Sequence, residues 1–161
     1  MSTDHHKVGK PWNVCFAFTV QEEVGTRGAK ICSRRVKPDF ALVLDSTISS
    51  DIPGTDKPFV ATKLGAGAVL TMIDGATSYN RDRVQKLYDM AAKKGIAVQI
   101  KQTAAGGNDA GAVHLEAGGI PTLSVSIPTR YMHSPSSVMS LSDYEAAREV
   151  TRLLIQEVDH V

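Results

Sequence analysis

The sequence predicts an α/β fold, specifically a three-layer α/β/α sandwich with a mostly parallel sheet. Apolar runs of strand length alternate along the chain with stretches of helical periodicity. The length of 161 residues fits one domain, and a composition that is 42% hydrophobic and 22% charged is typical of a globular protein. Strands that alternate with helices along the chain usually pair in parallel, and the helices cover both faces of the resulting sheet. We therefore expect residues 1–161 to form a single domain.

The first half of the chain predicts a strand–helix–strand unit. Residues 13–21 are apolar, aromatic and β-branched, residues 26–36 have the length of about three helical turns, and residues 40–44 form a short apolar run. A polar loop at 49–58 follows and leads to another apolar run at 69–73.

The second half continues the alternation. Residues 81–94 carry apolar side chains at helical spacing, and Gly95 follows where a glycine commonly ends a helix. A strand at 97–101, a short Ala-rich helix at 109–117 and a strand at 122–127 come next.

A final helix is predicted from the end of the sequence. Ser142 with Glu145 three residues later is a capping-box pattern, and an apolar stripe follows it.

Charge and hydropathy exclude several classes of partner. Eighteen Lys and Arg balance seventeen Asp and Glu for a net charge of +1, so we expect no nucleic-acid partner. The longest purely apolar run, 40–44, is far shorter than the ~20 residues that span a bilayer, and the first residues have no apolar signal core. These features predict a cytoplasmic protein without a membrane partner. Cys15 and Cys32 lack CxxC spacing and are predicted to be buried free thiols.

Acidic and imidazole side chains follow three of the predicted strands. Glu22 and Glu23 come after the first strand, Asp45 after the second, and His133 after the strand at 122–127. Because ligands bind outside the carboxyl ends of the strands in an open parallel sheet, we expect these side chains to converge at one edge.

Two carboxylates and an imidazole are the oxygen and nitrogen ligands that a hydrolytic zinc site uses. A further glutamate then has a role as general base for the attacking water. Each residue also has an ordinary interpretation. Adjacent glutamates before a helix interact favourably with its positive N-terminal end. Asp45, which precedes Ser-Thr, could cap a turn, and a single His is often a surface residue.

Four segments carry a resemblance to a known family. They are TVQEEVGTRGA (19–29), LVLDST (42–47), LGAGAVLTMID (64–74) and GGNDAGAVHLEAGGIPTLSVSIPTRYMHSP (106–135). Together and in order, they resemble the C-terminal half of the catalytic domain of the tetrahedral aminopeptidases. This family of dinuclear metallopeptidases includes glutamyl and deblocking aminopeptidases and proteins labelled cellulase M.

The resemblance implies a role for each candidate residue. Glu22 corresponds to the general base, Glu23 and His133 to ligands of one metal ion, and Asp45 to a ligand of the other. The implied cofactor is a divalent metal, zinc or cobalt, with up to two ions in the complete site. The implied substrate is a peptide with a free N-terminus, and the implied assembly is a homo-oligomer, since family members form dodecamers. The implied fold is a zinc-peptidase-like α/β/α sandwich.

The chain also departs from the family pattern. Ala66, Ala68 and Asn108 replace a lysine, a proline and a threonine. The family's N-terminal strands, its inserted β-rich domain, a histidine and a metal-bridging aspartate correspond to sequence upstream of Met1. The polar start, which contains Asp4, His5 and His6, does not reproduce the bridging segment and predicts a mobile terminus.

Two functions follow from these departures. The first is that of an aminopeptidase, or of the C-terminal segment of one, with part of the dinuclear site absent from this chain. The second is that of an inactive paralogue or assembly subunit that retains some metal ligands without using them. Each half-site would be weak, because zinc sites normally use at least three protein ligands. A sheet without its upstream strands would also expose an edge, which predicts self-association.

Arg130 and Asp109 also lie near predicted strand ends. Contact with substrate or orientation of a ligand is one interpretation of these residues. The alternatives are a surface role for Arg130 and a helix N-cap for Asp109.

Overall fold

The computed structural model describes the backbone of residues 3–7 and 12–160 and the side chains of residues 12–159. Short strands and helices alternate along this part of the chain. In order they are β1 (Thr3–Lys7), β2 (Asn13–Ala17), α1 (Arg27–Val36), β3 (Ala41–Ile48), β4 (Ala68–Leu70), α2 (Arg81–Lys93), β5 (Val98–Ile100), α3 (Ala110–Val113), β6 (Thr122–Arg130), β7 (Val138–Met139) and α4 (Leu141–Glu157).

The main sheet has the strand order β3-β6-β4-β5, and β7 pairs with β6. Strands β3 and β6 run parallel over their length, with Asp45 opposite Ser126. Strands β4 and β5 are also parallel, whereas β4 and β7 are antiparallel to β6. The prediction of an α/β fold with a mostly parallel sheet is confirmed.

Side chains on β6 alternate between the two faces of the sheet. Leu123 and Val125 join the large apolar core with residues of α2 and α4. Ser124 between them contacts Asn108, which lies two residues before α3. Val113 of α3 packs with Ala29 of α1 in a smaller core. Helices therefore cover both faces of the sheet, as the layered prediction requires.

Strand β2 does not join the main sheet, although the strand–helix–strand pattern predicts it there. It pairs antiparallel with β1 in a separate two-stranded sheet, with His5 opposite Cys15. The polar residues 3–7 thus form a strand rather than an irregular terminus; their side chains lie outside the described residues. Cys15 and Cys32 are free thiols, as predicted, but only Cys32 is buried, because Cys15 lies on the small two-stranded sheet and is partly exposed.

Several element boundaries differ from the sequence prediction, and those of β6 and α4 have a clear structural basis. Strand β6 continues through Pro128 to Arg130. This is tolerated because β4 pairs with β6 only at Val125 and Ser126, so that the missing amide of Pro128 faces no partner in β4. Helix α4 begins at Leu141, which places the predicted cap residue Ser142 inside the helix.

The first turn of α4 anchors a loop of the main sheet. Asp143 is fully buried and accepts hydrogen bonds from the amides of Gly65 and Gly67, both at 2.7 Å. A Cβ at Gly67 would lie 2.1 Å from the carbonyl oxygen of Ala97, so only glycine fits there. Among the described helices, none is both long and apolar enough to cross a membrane.

Candidate active site

The candidate residues come from three places at one edge of the main sheet. Glu22 and Glu23 lie in the turn between β2 and α1 (residues 18–26, named here the glutamate turn). His133 lies in the loop after β6. Asp45 lies within β3 and does not follow it, because the strand continues to Ile48. The parallel pairing of β3 with β6 places Asp45 on the strand adjacent to the one that leads to His133.

Glu23 and His133 lie close together despite their distance along the chain. The Oε1 atom of Glu23 lies 3.6 Å from Nδ1 of His133, and their side chains are 72% and 66% exposed. At that distance and exposure, the pair is not a strong hydrogen bond. A carboxylate and an imidazole that are both exposed and lie this close together can instead bind the same third group.

Both loops of the site contain strained backbone. Gln21 and Thr26 flank the glutamate turn with φ of 61° and 51°, and Tyr131 and His133 have φ of 61° and 58°. Non-glycine residues rarely adopt this left-handed region, and each such residue costs ~1–3 kcal/mol. Backbone strain of this kind is concentrated at functional sites, which supports a functional role for both loops.

The glutamate turn closes tightly against the start of α1. The amides of Gly25 and Thr26 donate to the carbonyl oxygen of Glu22 at 3.0 and 2.9 Å, and the amide of Gly28 donates to that of Val20 at 2.9 Å. A Cβ at Gly28 would lie 2.4 Å from the same Val20 oxygen. Glycine at position 28 therefore permits the close approach that forms the turn.

The charges of the site act on one another. Burial raises the pKa of Glu22 above its ordinary value; the neighbouring carboxylates of Asp45, Glu23 and Asp109 raise it further, and His133 opposes them. Burial likewise raises the pKa of Asp45, while the amide of Ser46, which donates to its Oδ1 at 2.7 Å, lowers it. The carboxylate charges of Asp109 and Glu23 add to the increase at Asp45. The candidate residues thus form one electrostatic cluster.

The donor types of this cluster match those of a divalent metal site. Carboxylate oxygens and an imidazole nitrogen bind zinc, and Oδ1 of Asp109 is buried without a hydrogen-bond partner among the described residues. The cluster is nevertheless open. Within residues 12–159, no three His, Cys, Asp or Glu side chains converge closely enough to hold an ion. The Glu23–His133 pair therefore fits two ligands of one ion and not a complete site.

Arg130, at the end of β6, is paired with a residue of a distant loop. Its guanidinium makes two hydrogen bonds to the carboxylate of Asp51, at 3.0 and 2.9 Å, and one to the Asp51 carbonyl oxygen. The side-chain hydrogen bond from Arg130 lowers the pKa of Asp51 to about 2. Because Arg130 is the last residue of β6, this ion pair fixes the point at which the His133 loop leaves the sheet.

No sequence pattern predicts the roles of Asp51 and Thr19. Asp51 lies in a polar loop 79 positions from Arg130, and no local pattern connects the two. Thr19 lies inside the glutamate motif, but its hydroxyl partner Asp109 is 90 positions away. Asp109 occupies the N-cap position of α3, as one interpretation of the sequence had it, but its side chain makes no capping hydrogen bond.

The fold is that of an α/β domain with a cluster of acidic side chains at one edge of its main sheet. The chain matches the model of the M42 glutamyl aminopeptidase family over residues 2–150, and it belongs to that family. The glutamyl aminopeptidase of Lactococcus lactis is 32% identical over 149 residues, which are 92% of this chain and 41% of that protein. The resemblance inferred from the sequence motifs is thereby confirmed.

Solved structures give the same relationship. An aminopeptidase from the archaeon Desulfurococcus kamchatkensis has a TM-score of 0.87 at 36% identity, over 90% of this chain and 41% of that chain. The TET1 peptidase of Pyrococcus horikoshii, whose structure is described as assembling into a tetrahedron or a large octahedral shell, has a TM-score of 0.73 at 37% identity, over 88% and 40%. The chain thus spans about two fifths of the length of these relatives.

Proposed function

We propose that this chain is part of a metal-dependent aminopeptidase that hydrolyses N-terminal residues from peptides. The observation that supports the proposal is the convergence of Glu23 and His133, 3.6 Å apart, beside Glu22 and Asp45 in a chain of the M42 family. In this proposal, residues 1–161 are one domain, the C-terminal part of a larger catalytic domain.

Each residue then has a chemical role. Glu23 and His133 would be two ligands of one divalent ion, zinc or cobalt, and Asp45 would be one ligand of a second. When bound, such an ion would polarise the scissile carbonyl as a Lewis acid. Glu22 accepts a proton from the attacking water and returns it to the leaving amine. Its raised pKa suits this role, because a general base works best when its pKa approaches the working pH.

The proposed substrate is a peptide with a free N-terminus. A free N-terminus carries an ammonium group, and the cluster of carboxylates at this edge favours a cation. The family name and the aminopeptidase relatives support the same substrate class. A cytoplasmic location stays a prediction.

Cobalt titration of the whole chain, followed by visible absorption and calorimetry, tests the metal ligands. We expect weak binding, because few protein ligands are present, and a further loss of ten-fold or more in Glu23→Gln and in His133→Ala. Glu145→Gln and His114→Ala are matched controls, since Glu145 pairs with Arg148 on α4 and His114 contacts the carbonyl oxygen of Ala110. Equal affinities in all five proteins, or no binding by the unmodified chain, would overturn the proposal.

Hydrolysis of aminoacyl p-nitroanilides in excess cobalt tests Glu22. We expect Glu22→Gln to abolish any turnover while it retains cobalt affinity within about two-fold, because Glu22 is proposed as a base and not as a ligand. Turnover in the variant equal to that of the unmodified chain would contradict its role.

A second candidate function is that of an assembly subunit with relic ligands. The segment at the start of α4 favours it, because Val138, Met139, Leu141 and Tyr144 expose large apolar side chains in near succession. The TET1 peptidase of Pyrococcus horikoshii, which assembles into shells, supports a homo-oligomer here. Sedimentation at micromolar concentration tests this candidate, and a 17.3 kDa monomer would contradict it.

A further inference from the structure

Asp109 is a buried acid beside the candidate site that the proposed reaction does not use. Its side chain is 8% exposed, and its charge acts on both Glu22 and Asp45. Oδ2 accepts a hydrogen bond from the hydroxyl of Thr19 at 2.5 Å, and Oδ1 has no partner among the described residues. A carboxylate buried with one oxygen unpaired is costly, so its retention at this position needs an explanation.

The ordinary explanation, a helix cap, does not apply to Asp109. Its side chain makes no capping hydrogen bond, although it occupies the position before α3. The preceding residue, Asn108, accepts instead from the amide of Ala110 at 2.9 Å. Asp109 is therefore not required to start the helix, and its carboxylate is directed to Thr19.

The residues around Asp109 are held in place by hydrogen bonds and close packing. The side chain of Asn108 donates to the hydroxyl of Ser124 on β6 at 2.9 Å, and the amide of Gly75 donates to the carbonyl oxygen of Gly106 at 2.6 Å. A Cβ at Gly111 would lie 2.7 Å from the Cβ of Ala76, which shows how closely the start of α3 packs. The position of Asp109 is thus defined by the main sheet.

The glutamate turn is tied to the start of α1 by backbone hydrogen bonds, but the apolar side chains around it are largely exposed. Phe18, Val20 and Val24 expose most of their side chains to solvent. Strand β2, which leads into the turn, pairs with β1 and not with the main sheet. Among the described residues, the Thr19–Asp109 hydrogen bond joins this turn to the closely packed start of α3. Hydrogen bonds between a hydroxyl and an ionised carboxylate are short and strong, which suits this anchoring role.

We infer that Asp109 is a positioning residue that, through Thr19, holds the turn carrying Glu22 and Glu23 at the edge of the main sheet. The inference rests on the proposed function, because the turn matters only if its two glutamates bind or activate a ligand. Asp109 does not touch the reacting atoms in this scheme; it sets where Glu22 and Glu23 lie relative to Asp45 and His133.

Hydrogen exchange of the whole chain without metal tests the anchoring step. We expect Thr19→Val to increase exchange of the Gly28 amide by about five-fold or more, because Gly28 donates to Val20 within the turn. Thr19→Ser, which restores the hydroxyl, should return the rate to within two-fold of the unmodified chain. Thr151→Val is the matched control, since the hydroxyl of Thr151 is bonded to the carbonyl oxygen of Ala147 inside α4.

Cobalt titration then links the anchor to the site. Asp109→Asn keeps an acceptor for Thr19 but removes the charge, whereas Asp109→Ala removes both. If Asp109 only positions the turn, Asp109→Ala weakens cobalt binding several-fold and Asp109→Asn does so by less than two-fold. Asp89→Asn is the control, because Asp89 is an exposed acid that pairs with Gln85 on α2.

The outcomes separate this inference from the proposed function. Absence of cobalt binding in the unmodified chain would overturn the proposed function without affecting the exchange result. Unchanged Gly28 exchange in Thr19→Val, in a variant that keeps its melting temperature, would overturn the inference. Equal loss of cobalt binding in Asp109→Asn and Asp109→Ala would assign Asp109 an electrostatic role and would also overturn it.

Discussion

The face of the main sheet covered by α2 and α4 and the edge that carries the candidate site are held together differently. On the covered face, Leu70, Leu87 and Val150 are fully buried in one apolar cluster. At the site edge, Glu23 and His133 are mostly exposed. The edge depends on backbone hydrogen bonds and a few polar contacts between distant residues, so it belongs to the less stable part of the molecule.

The difference shows how the fold permits a strained site. The covered face buries enough apolar surface to stabilise the domain, which allows the edge to keep left-handed residues and repelling carboxylates. A change in the core should therefore alter global stability, whereas a change at the edge should alter the site with a small effect on stability.

The largest expected effect is in the core. Leu87→Ala should lower the free energy of unfolding by about 2–5 kcal/mol, because it removes a fully buried side chain and leaves a cavity. Leu115→Ala, at a leucine that is 71% exposed, is the control and should change it by less than about 0.5 kcal/mol. Urea denaturation measures both. Similar midpoints for the two variants would show that the covered face is not the stabilising region.

An intermediate effect is expected at the ion pair below the His133 loop. Asp51→Asn should lower stability at pH 7 by about 1 kcal/mol, since the pair is partly exposed to solvent. The pKa of Asp51 is lowered from 3.8 to about 2, so its contribution is present above pH 4 and is lost as the pH falls to about 2.

The Asp51 prediction is tested by thermal unfolding as a function of pH. The difference between Asp51→Asn and the unmodified chain should shrink as the pH falls below about 4 and disappear below about pH 2. Asp82→Asn, at an exposed acid in the first turn of α2, is a control for loss of charge. A difference that persists unchanged to pH 2 would contradict the ion-pair explanation.

The smallest expected effect has the opposite sign. Glu22→Gln should increase stability at pH 7 by less than about 1 kcal/mol, because it removes a partly buried charge beside other carboxylates. The pKa of Glu22 is raised above 4.5 in the folded state. Its ionisation therefore costs stability as the pH rises through and above 4.5, and the benefit of the substitution should vanish at lower pH.

Thermal unfolding across pH 3 to 8 measures the Glu22 effect, with Glu145→Gln as the control. Glu145 pairs with Arg148 on the surface, so its substitution should be neutral or slightly destabilising. A Glu22→Gln variant that is less stable than the unmodified chain at pH 7 would contradict the repulsion inferred at the site edge.

Much of the fold could be predicted because it depends on local patterns. The spacing of apolar residues located α2 and α4, and the apolar runs located β3 and the start of β6. The end of β6 could not be predicted in this way. Pro128 commonly stops a strand, but its effect depends on which neighbouring strand its position faces.

The candidate site divides in the same way. Glu22, Glu23, Asp45 and His133 could be named from their positions after strand-like runs and from motifs that resemble a family. Their support could not be named, because Thr19 with Asp109 and Asp51 with Arg130 join residues that are far apart in the chain.

The sequence by itself determined the α/β alternation, the family membership and the candidate residues, since each depends on short motifs and periodicity. Only the tertiary structure decided that β2 pairs with β1 outside the main sheet. It also decided that Arg130 pairs with Asp51 and that Asp109 accepts a hydrogen bond from the hydroxyl of Thr19. The physical reason is that hydrogen bonds and ion pairs between distant residues depend on how elements pack in space, which no local pattern records.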